Sequence, residues 1–169
     1  MIEIKDSGER QEFETGAVRD IREGKGRCDL MPLDIIKSLL NAVSDNPFDE
    51  VLLNISYFIK NGDVSNLYNV LREFIYNVYG ADGCYGCYAR AMLDLSKHFE
   101  EGAKKYGERN WEKGIPVHCY IDSAVRHFLK YLAGEKDEPH GRAFMWNIVC
   151  CIWTVINKPE MNDMKVAES

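Results

Sequence analysis

No apolar run in the 169-residue chain reaches the ~20 residues that a bilayer span requires. The longest, Ala143 to Ile156, covers 14 residues and is interrupted by Asn147, so it reads as a core helix. The N-terminal MIEIKDSGERQEF lacks the basic-then-apolar pattern of a secretory signal. Basic residues are in deficit, 21 against 27 acidic for a net charge of −6, which argues against a large nucleic-acid-binding surface. An acidic chain still has room for a small anion bridged by a divalent cation. Convincing strand alternation and internal repeats are also missing. What is present is ordinary for a soluble globular protein, 46% apolar and 28% charged residues. Six cysteines without an export signal are expected to be free thiols in a reducing cytoplasm.

Residues 1–28 are polar and contain Gly16, Gly24 and Gly26 without a sustained period, so they are expected to form an extended or looped arm. Asp29 and Pro32 signal a helix start, and Leu33, Ile36, Leu39, Leu40 and Val43 share a stripe at helical spacing. Asn46-Pro47 ends that helix. A second runs over about 48–60 and stops at Asn61-Gly62, and Asp63 can cap a third. That third carries Val64, Leu67, Val70, Leu71, Phe74, Ile75 and Val78. A fourth is expected over about 88–105, followed by a loop over 106–116. Residues 119–133 make the cleanest amphipathic pattern, with Asp122 and Arg126 at its polar edge. The last helix starts near Pro139 and is apolar almost all round. The expected architecture is an all-α bundle: arm 1–28, helical domain 29–159, loose tail 160–169.

Several residue groups could carry chemistry. Glu100/Lys104 and Glu101/Lys105 are four apart, which suits either solvated ion pairs or a carboxylate and lysines serving a metal and phosphates. Asp122 and Arg126 repeat that spacing, with His127 beside them. Glu135, Asp137, Glu138 and His140 cluster before the apolar helix, where acids also complement the helix dipole. His140 adjoins these acids and ranks first among the histidines as a catalytic candidate. Cys84-x-x-Cys87 with the distant His118-Cys119 is half a zinc knuckle, better read as reduced cysteines. Cys150-Cys151 reads as core filler.

The run Thr15-Gly16-Ala17-Val18-Arg19-Asp20 and the run from Gly24 through Cys28-Asp29-Leu30-Met31-Pro32 resemble the opening of phage-type dATP/dGTP diphosphohydrolases. So do His98-Phe99-Glu100, the run Gly102 to Pro116, Tyr120 to His127, Gly134 to His140, and Trp146-Asn147. The resemblance covers roughly residues 13–40 and 93–153, and the family is similar in turn to the all-α MazG-like pyrophosphatases. It implies a homo-oligomeric helical bundle that uses Mg²⁺ or Mn²⁺ to split a purine (deoxy)nucleoside triphosphate into monophosphate and pyrophosphate, in the cytoplasm of an infected or prophage-carrying bacterium. It implies metal ligands among Glu100, Asp122, Asp137 and Glu138, with Glu100, Asp122 and His140 as catalytic groups. Phosphate contacts would come from Lys25, Arg27, Lys104, Lys105 and Arg126. Tyr106, Asn110, Trp111 and His127 would complete the substrate site, Asn110 hydrogen-bonding the base and Trp111 either stacking on it or, as loop tryptophans more often do, plugging a core edge. The superfamily's Glu-x-x-Glu followed by Glu-x-x-Asp is not reproduced, since Glu135-x-x-Glu138 is present but Glu100 is followed three residues on by Ala103. Residues 46–88 read as an insertion. A non-catalytic binder, a sponge for a nucleotide or cyclic-nucleotide signal, is the alternative from another functional class.

Overall fold

A computed structural model describes residues 8–21, 25–41, 48–80 and 85–164. The described residues divide into two compact units, one within 30–93 together with Met164, and one within 8–29 and 94–163. Among the described residues no helix is long and apolar enough to cross a membrane.

The 30–93 unit holds α1 (Leu33–Asn41), α2 (Asp49–Asn61), α3 (Ser65–Tyr79) and the first turns of α4 (Tyr85–Tyr106). α2 packs against both α1 and α3. Its end is set by Gly62, whose left-handed φ of 69° lets its N–H reach the Phe58 carbonyl at 2.8 Å. Val51, Ile55, Phe58, Leu67, Val70 and Phe74 are all buried, as the three- and four-residue steps predict. Leu39 departs from its predicted stripe and is 61% exposed, because a helix this short buries only a narrow arc. The described residues of the segment read as an insertion, 46–88, all fall in this unit. Cys87 is buried there, whereas Cys84 and Val43 lie outside the described residues.

The other unit is built on α5 (Val117–Leu132) and α6 (His140–Asn157), which pack along each other. Ile121, Val125 and Phe128 of α5 are fully buried, and Phe128 meets Phe144 of α6 at 5.4 Å between ring centroids. Burial extends round α6 from Ala143 and Phe144 to Asn147, Ile148 and Cys151, as its all-round apolarity predicts. Cys150 and Cys151 are fully buried, and burial pushes both thiols well above the ordinary range.

The N-terminal arm differs from expectation. It forms a hairpin, β1 (Arg10–Glu12) antiparallel to β2 (Val18–Asp20), with Gln11 opposite Arg19. The turn needs Gly16, at φ 75°, and closes with the Phe13 N–H on the Ala17 carbonyl at 2.9 Å. Three residues per strand are too few for an alternating pattern to register. The hairpin is stable because it is pinned elsewhere. The Asn110 side-chain amide acts as an extra strand residue, accepting from the Val18 N–H at 2.9 Å and donating to the Val18 carbonyl at 2.8 Å. Thr15 donates to the Gly114 carbonyl at 2.6 Å, and Asp20 takes Lys105 at 2.8 Å and Arg10 at 3.0 Å.

Two further boundaries move. α4 begins at Tyr85, ahead of the predicted start at 88, and the 106–116 loop contains a 3₁₀ turn, Asn110–Lys113. The segment read as a loose tail starts with a 3₁₀ turn, Pro159–Met161, and Asp163 caps α5 by accepting from the His118 N–H at 3.0 Å. Residues 165–169 lie outside the described residues.

Candidate functional site

Within the unit of α5 and α6 lies a cavity of about 430 Å³, within the range that holds a small-molecule ligand. β2 contributes Arg19 and Asp20, and Lys25 follows on the arm. α4 contributes His98 and Tyr106. Ser123, Arg126, His127 and Lys130 come from α5 at three- and four-residue steps, which place them on one helix face. Asp137, Glu138, Trp146 and Asn147 close the cavity from the start and first turns of α6.

Its cations are held in different ways. Arg19 donates through Nη2 to Ser123 Oγ at 2.9 Å and to Asn147 Oδ1 at 3.1 Å. Its guanidinium also lies 5.4 Å from the centroid of the Tyr120 ring, while Nη1 is buried without a hydrogen-bond partner. This is a preorganised arginine with donor capacity to spare. Arg126 donates to the Lys25 carbonyl at 3.0 Å, to the Gly26 carbonyl at 3.1 Å and to Asp122, so it ties the arm to α5. Lys130 bridges Glu135 at 3.0 Å and Asp137 at 3.3 Å. Desolvation, followed by nearby charges including Arg126 and Lys105, leaves the Lys25 ammonium below its usual range despite the opposing pull of Asp20.

At the α5–α6 junction, His127 Nδ1 and His140 Nδ1 stand 3.0 Å apart, and His140 Nε2 meets Asp137 Oδ1 at 2.8 Å. The hydrogen bond from His140 holds the Asp137 carboxyl down at about 2. Glu138 Oε2 is 3.8 Å from His127 Nδ1 and 3.9 Å from His140 Nδ1. His127, Glu138 and His140 can together hold a metal ion, as can the more exposed set of Glu135, Asp137 and His140.

The sequence candidates separate in space. Lys25, Tyr106, Arg126, His127, Asp137 and Glu138 line the cavity, and His140 adjoins it through its contacts with His127 and Asp137. Glu100 does not line it. Its side chain is 66% exposed and paired with Lys104 at 2.6 Å, and it borders a second hollow of about 580 Å³ together with Asn110 and Trp111. Asp122 is not at a polar edge but fully buried, accepting from the Cys28 N–H at 2.7 Å and from Arg126. A carboxylate so engaged faces neither hollow. Arg27 pairs with Asp29 at 2.7 Å, and Lys105 with Asp20, so both act within the arm and its anchorage. Asn110 is committed to Val18. Trp111 packs on Trp153 at 4.9 Å and on Phe99 at 5.8 Å, sealing a core edge.

Several residues with spare polar atoms lie outside the site set that the sequence suggested, although Glu101 was named there as a carboxylate paired with Lys105. Among the described residues, Arg19 Nη1, His98 Nδ1, Glu101 Oε2, Tyr120 OH, Trp146 Nε1 and Thr154 Oγ1 are buried without hydrogen-bond partners, and of these Arg19, His98 and Trp146 line the cavity. Glu101 also binds Arg142 at 3.1 Å. The phase of α4 was the available signal: Leu95, His98 and Lys105 share the buried stripe, which turns Glu101 inward and Glu100 outward.

His98 has a measurable consequence. Burial first, then Arg142 and Lys105, pushes its imidazole down to about 4, with Glu101 Oε2 4.0 Å from Nδ1. The unfolded chain therefore takes up a proton below ~6.5 that the folded chain refuses. Stability is expected to fall as pH drops from about 6.5 to about 4, by roughly 3 kcal/mol from this residue, and to be insensitive to it below that window. Denaturant titrations across this range should show a flatter dependence for His98→Gln. An unchanged slope would rule out His98 as the source.

No curated protein and no solved structure matches the chain. Residues 86–164, which carry most of α4 and all of α5, α6 and the acid–histidine cluster, match the family model described as dATP/dGTP diphosphohydrolase, N-terminal, and this match supports the family that the sequence resembles.

Proposed function

We propose that the cavity between β2, α4, α5 and α6 binds a purine deoxynucleoside triphosphate, dATP or dGTP, and that the protein hydrolyses it to the monophosphate and pyrophosphate. The observation that carries this reading is the set of buried polar atoms without partners, Arg19 Nη1, His98 Nδ1 and Trp146 Nε1, on residues lining one nucleotide-sized cavity. Buried groups of that kind call for a ligand, a water or an ion. The matched family's description names the same substrates.

The roles follow from charge and placement. Arg19, Lys25 and Arg126 bring positive charge to the phosphate chain, with Arg19 Nη1 as the donor that Ser123 and Asn147 leave over. Water attacks the α-phosphorus; the new P–O bond forms as the bond to the bridging oxygen breaks, and pyrophosphate leaves. The carboxylates and imidazoles at the start of α6 have the donor chemistry for a divalent ion, Mg²⁺ or Mn²⁺, with Asp137 and Glu138 as ligands from the sequence set. When bound, such an ion neutralises triphosphate charge and polarises the phosphoryl oxygens. Trp146 and Tyr106 are aromatic residues that line the cavity and could contact the base, a part that Trp111, packed on Trp153, leaves to them.

Incubation with each (d)NTP and Mg²⁺ or Mn²⁺, followed by product analysis, tests the reading. Pyrophosphate and a purine monophosphate should form, and chelator should abolish both. The second reading, a nucleotide-binding sponge, draws on the same cavity and on the placement of Glu100 and Asp122 outside it, which leaves fewer acids for catalysis. It requires intact nucleotide to be retained with and without chelator, a result that would overturn the hydrolase.

A further inference from the structure

The His127, Glu138 and His140 atoms form a triangle whose dimensions bear on which ion this protein takes. Its sides are 3.0, 3.8 and 3.9 Å, and an in-plane point equidistant from the three atoms lies about 2.1 Å from each. Imidazole nitrogens and carboxylate oxygens bind zinc-sized divalent ions at this length. Glu138 Oε2 is too far from either Nδ1 for a hydrogen bond, yet nearly equidistant from both. A cation between them would lie within bonding reach of all three atoms, and it would replace the hydrogen bond that the two Nδ1 atoms share.

The surroundings of His140 support the same conclusion. A carboxylate can only accept, so Asp137 fixes the proton on His140 Nε2, and the neutral ring turns the Nδ1 lone pair toward the triangle. An outer carboxylate holding the far nitrogen of a histidine is the usual support of a metal-bound imidazole. The His140 side chain is only 1% exposed, whereas His127 and Glu138 line the cavity. The centre is thus closed on its protein side and borders the cavity, where further coordination positions would be available.

We infer that His127, Glu138 and His140 form a two-histidine, one-carboxylate centre selective for a first-row transition ion such as Mn²⁺, Co²⁺ or Zn²⁺ over Mg²⁺. Imidazole favours those ions, whereas Mg²⁺ prefers an all-oxygen, largely hydrated shell. The inference rests on the nucleotide reading only for the ion's place beside phosphates; binding itself can be read without substrate.

The full chain, stripped with chelator, would be titrated with Co²⁺, whose visible absorption reports its ligands, and with Mg²⁺. One Co²⁺ per chain is expected, bound at least 100-fold more tightly than Mg²⁺ and raising the thermal midpoint. Glu138→Gln and His127→Asn should each weaken Co²⁺ at least tenfold and reduce the midpoint shift. Asp137→Asn should weaken it by about 10- to 100-fold, as loss of an outer-shell partner does. These substitutions avoid the buried His140, and a cooperative metal-free melt verifies that each variant is folded. Absence of stoichiometric uptake, or equal uptake by wild type and by Glu138→Gln and His127→Asn, overturns the centre. Stoichiometric uptake without cleavage of any (d)NTP keeps the centre and overturns the hydrolase. Mg²⁺-dependent cleavage without Co²⁺ uptake does the reverse.

Discussion

Arg19→Ala is expected to weaken triphosphate binding by about tenfold to a hundredfold, since a hydrogen bond to a charged group is worth ~1.5–3 kcal/mol. The side chain is held by Ser123 Oγ at 2.9 Å and Asn147 Oδ1 at 3.1 Å, so its orientation is set before the nucleotide arrives. Nη1 has no protein partner and is the donor left for a phosphate oxygen. Arg19→Lys keeps the charge but loses the fork, and should fall between wild type and alanine. Calorimetric titration in chelator would isolate binding from turnover. The denaturation midpoint must be followed alongside, because Arg19 also links β2 to α5 and α6. Lower stability with unchanged affinity would make Arg19 a structural pin and leave phosphate recognition to Lys25 and Arg126.

Asp122→Ala should cause a large loss of stability. Removing one partner of a buried ion pair costs ~3–5 kcal/mol, and here the removed group also satisfies a backbone N–H. The Asp122 side chain is fully buried, and it accepts from the Cys28 N–H at 2.7 Å and from Arg126. Arg126 is 16% exposed and keeps its bonds to the Lys25 and Gly26 carbonyls. The lower end of the range, about 3 kcal/mol, is therefore expected. Asp122→Asn retains an acceptor for Cys28 and should cost about half as much. Denaturant midpoints would decide. Near-wild-type stability in the alanine variant would mean that Asp122 does not anchor the arm, and would reopen it as a site residue.

Arg19 and Asp122 both hold the N-terminal arm in place. Its polarity and glycine content describe a segment unable to form a core alone, and by local criteria it is a loop. Its order comes from partners far away in sequence: Asn110 on Val18, Gly114 on Thr15, Asp122 on Cys28, and Ser123 and Asn147 on Arg19. A side-chain amide that completes a strand leaves no periodic trace. Arg19 was visible only as one letter of a resembling run, and its role required the helices behind it.

Helical structure was legible because it is local. The three- and four-residue recurrence of apolar side chains predicted α2, α3, α5 and α6 to within a few residues, and Gly62 and Lys158-Pro159 marked ends. The acid and histidine group before α6 was legible for the same reason, since Asp137, Glu138 and His140 lie within four positions of one another. Tertiary structure decided which of two adjacent acids faces inward, Glu101 or Glu100, because the phase of a helix depends on what it packs against. It also decided that Asp122 is a buried anchor and that Trp111 seals a core edge. Above all it brought His127 of α5 against His140 of α6, 13 positions apart, by packing the two helices side by side. Periodicity along a chain determines secondary structure and which face is apolar; the convergence of polar atoms on one cavity depends on packing between elements, which no local pattern contains.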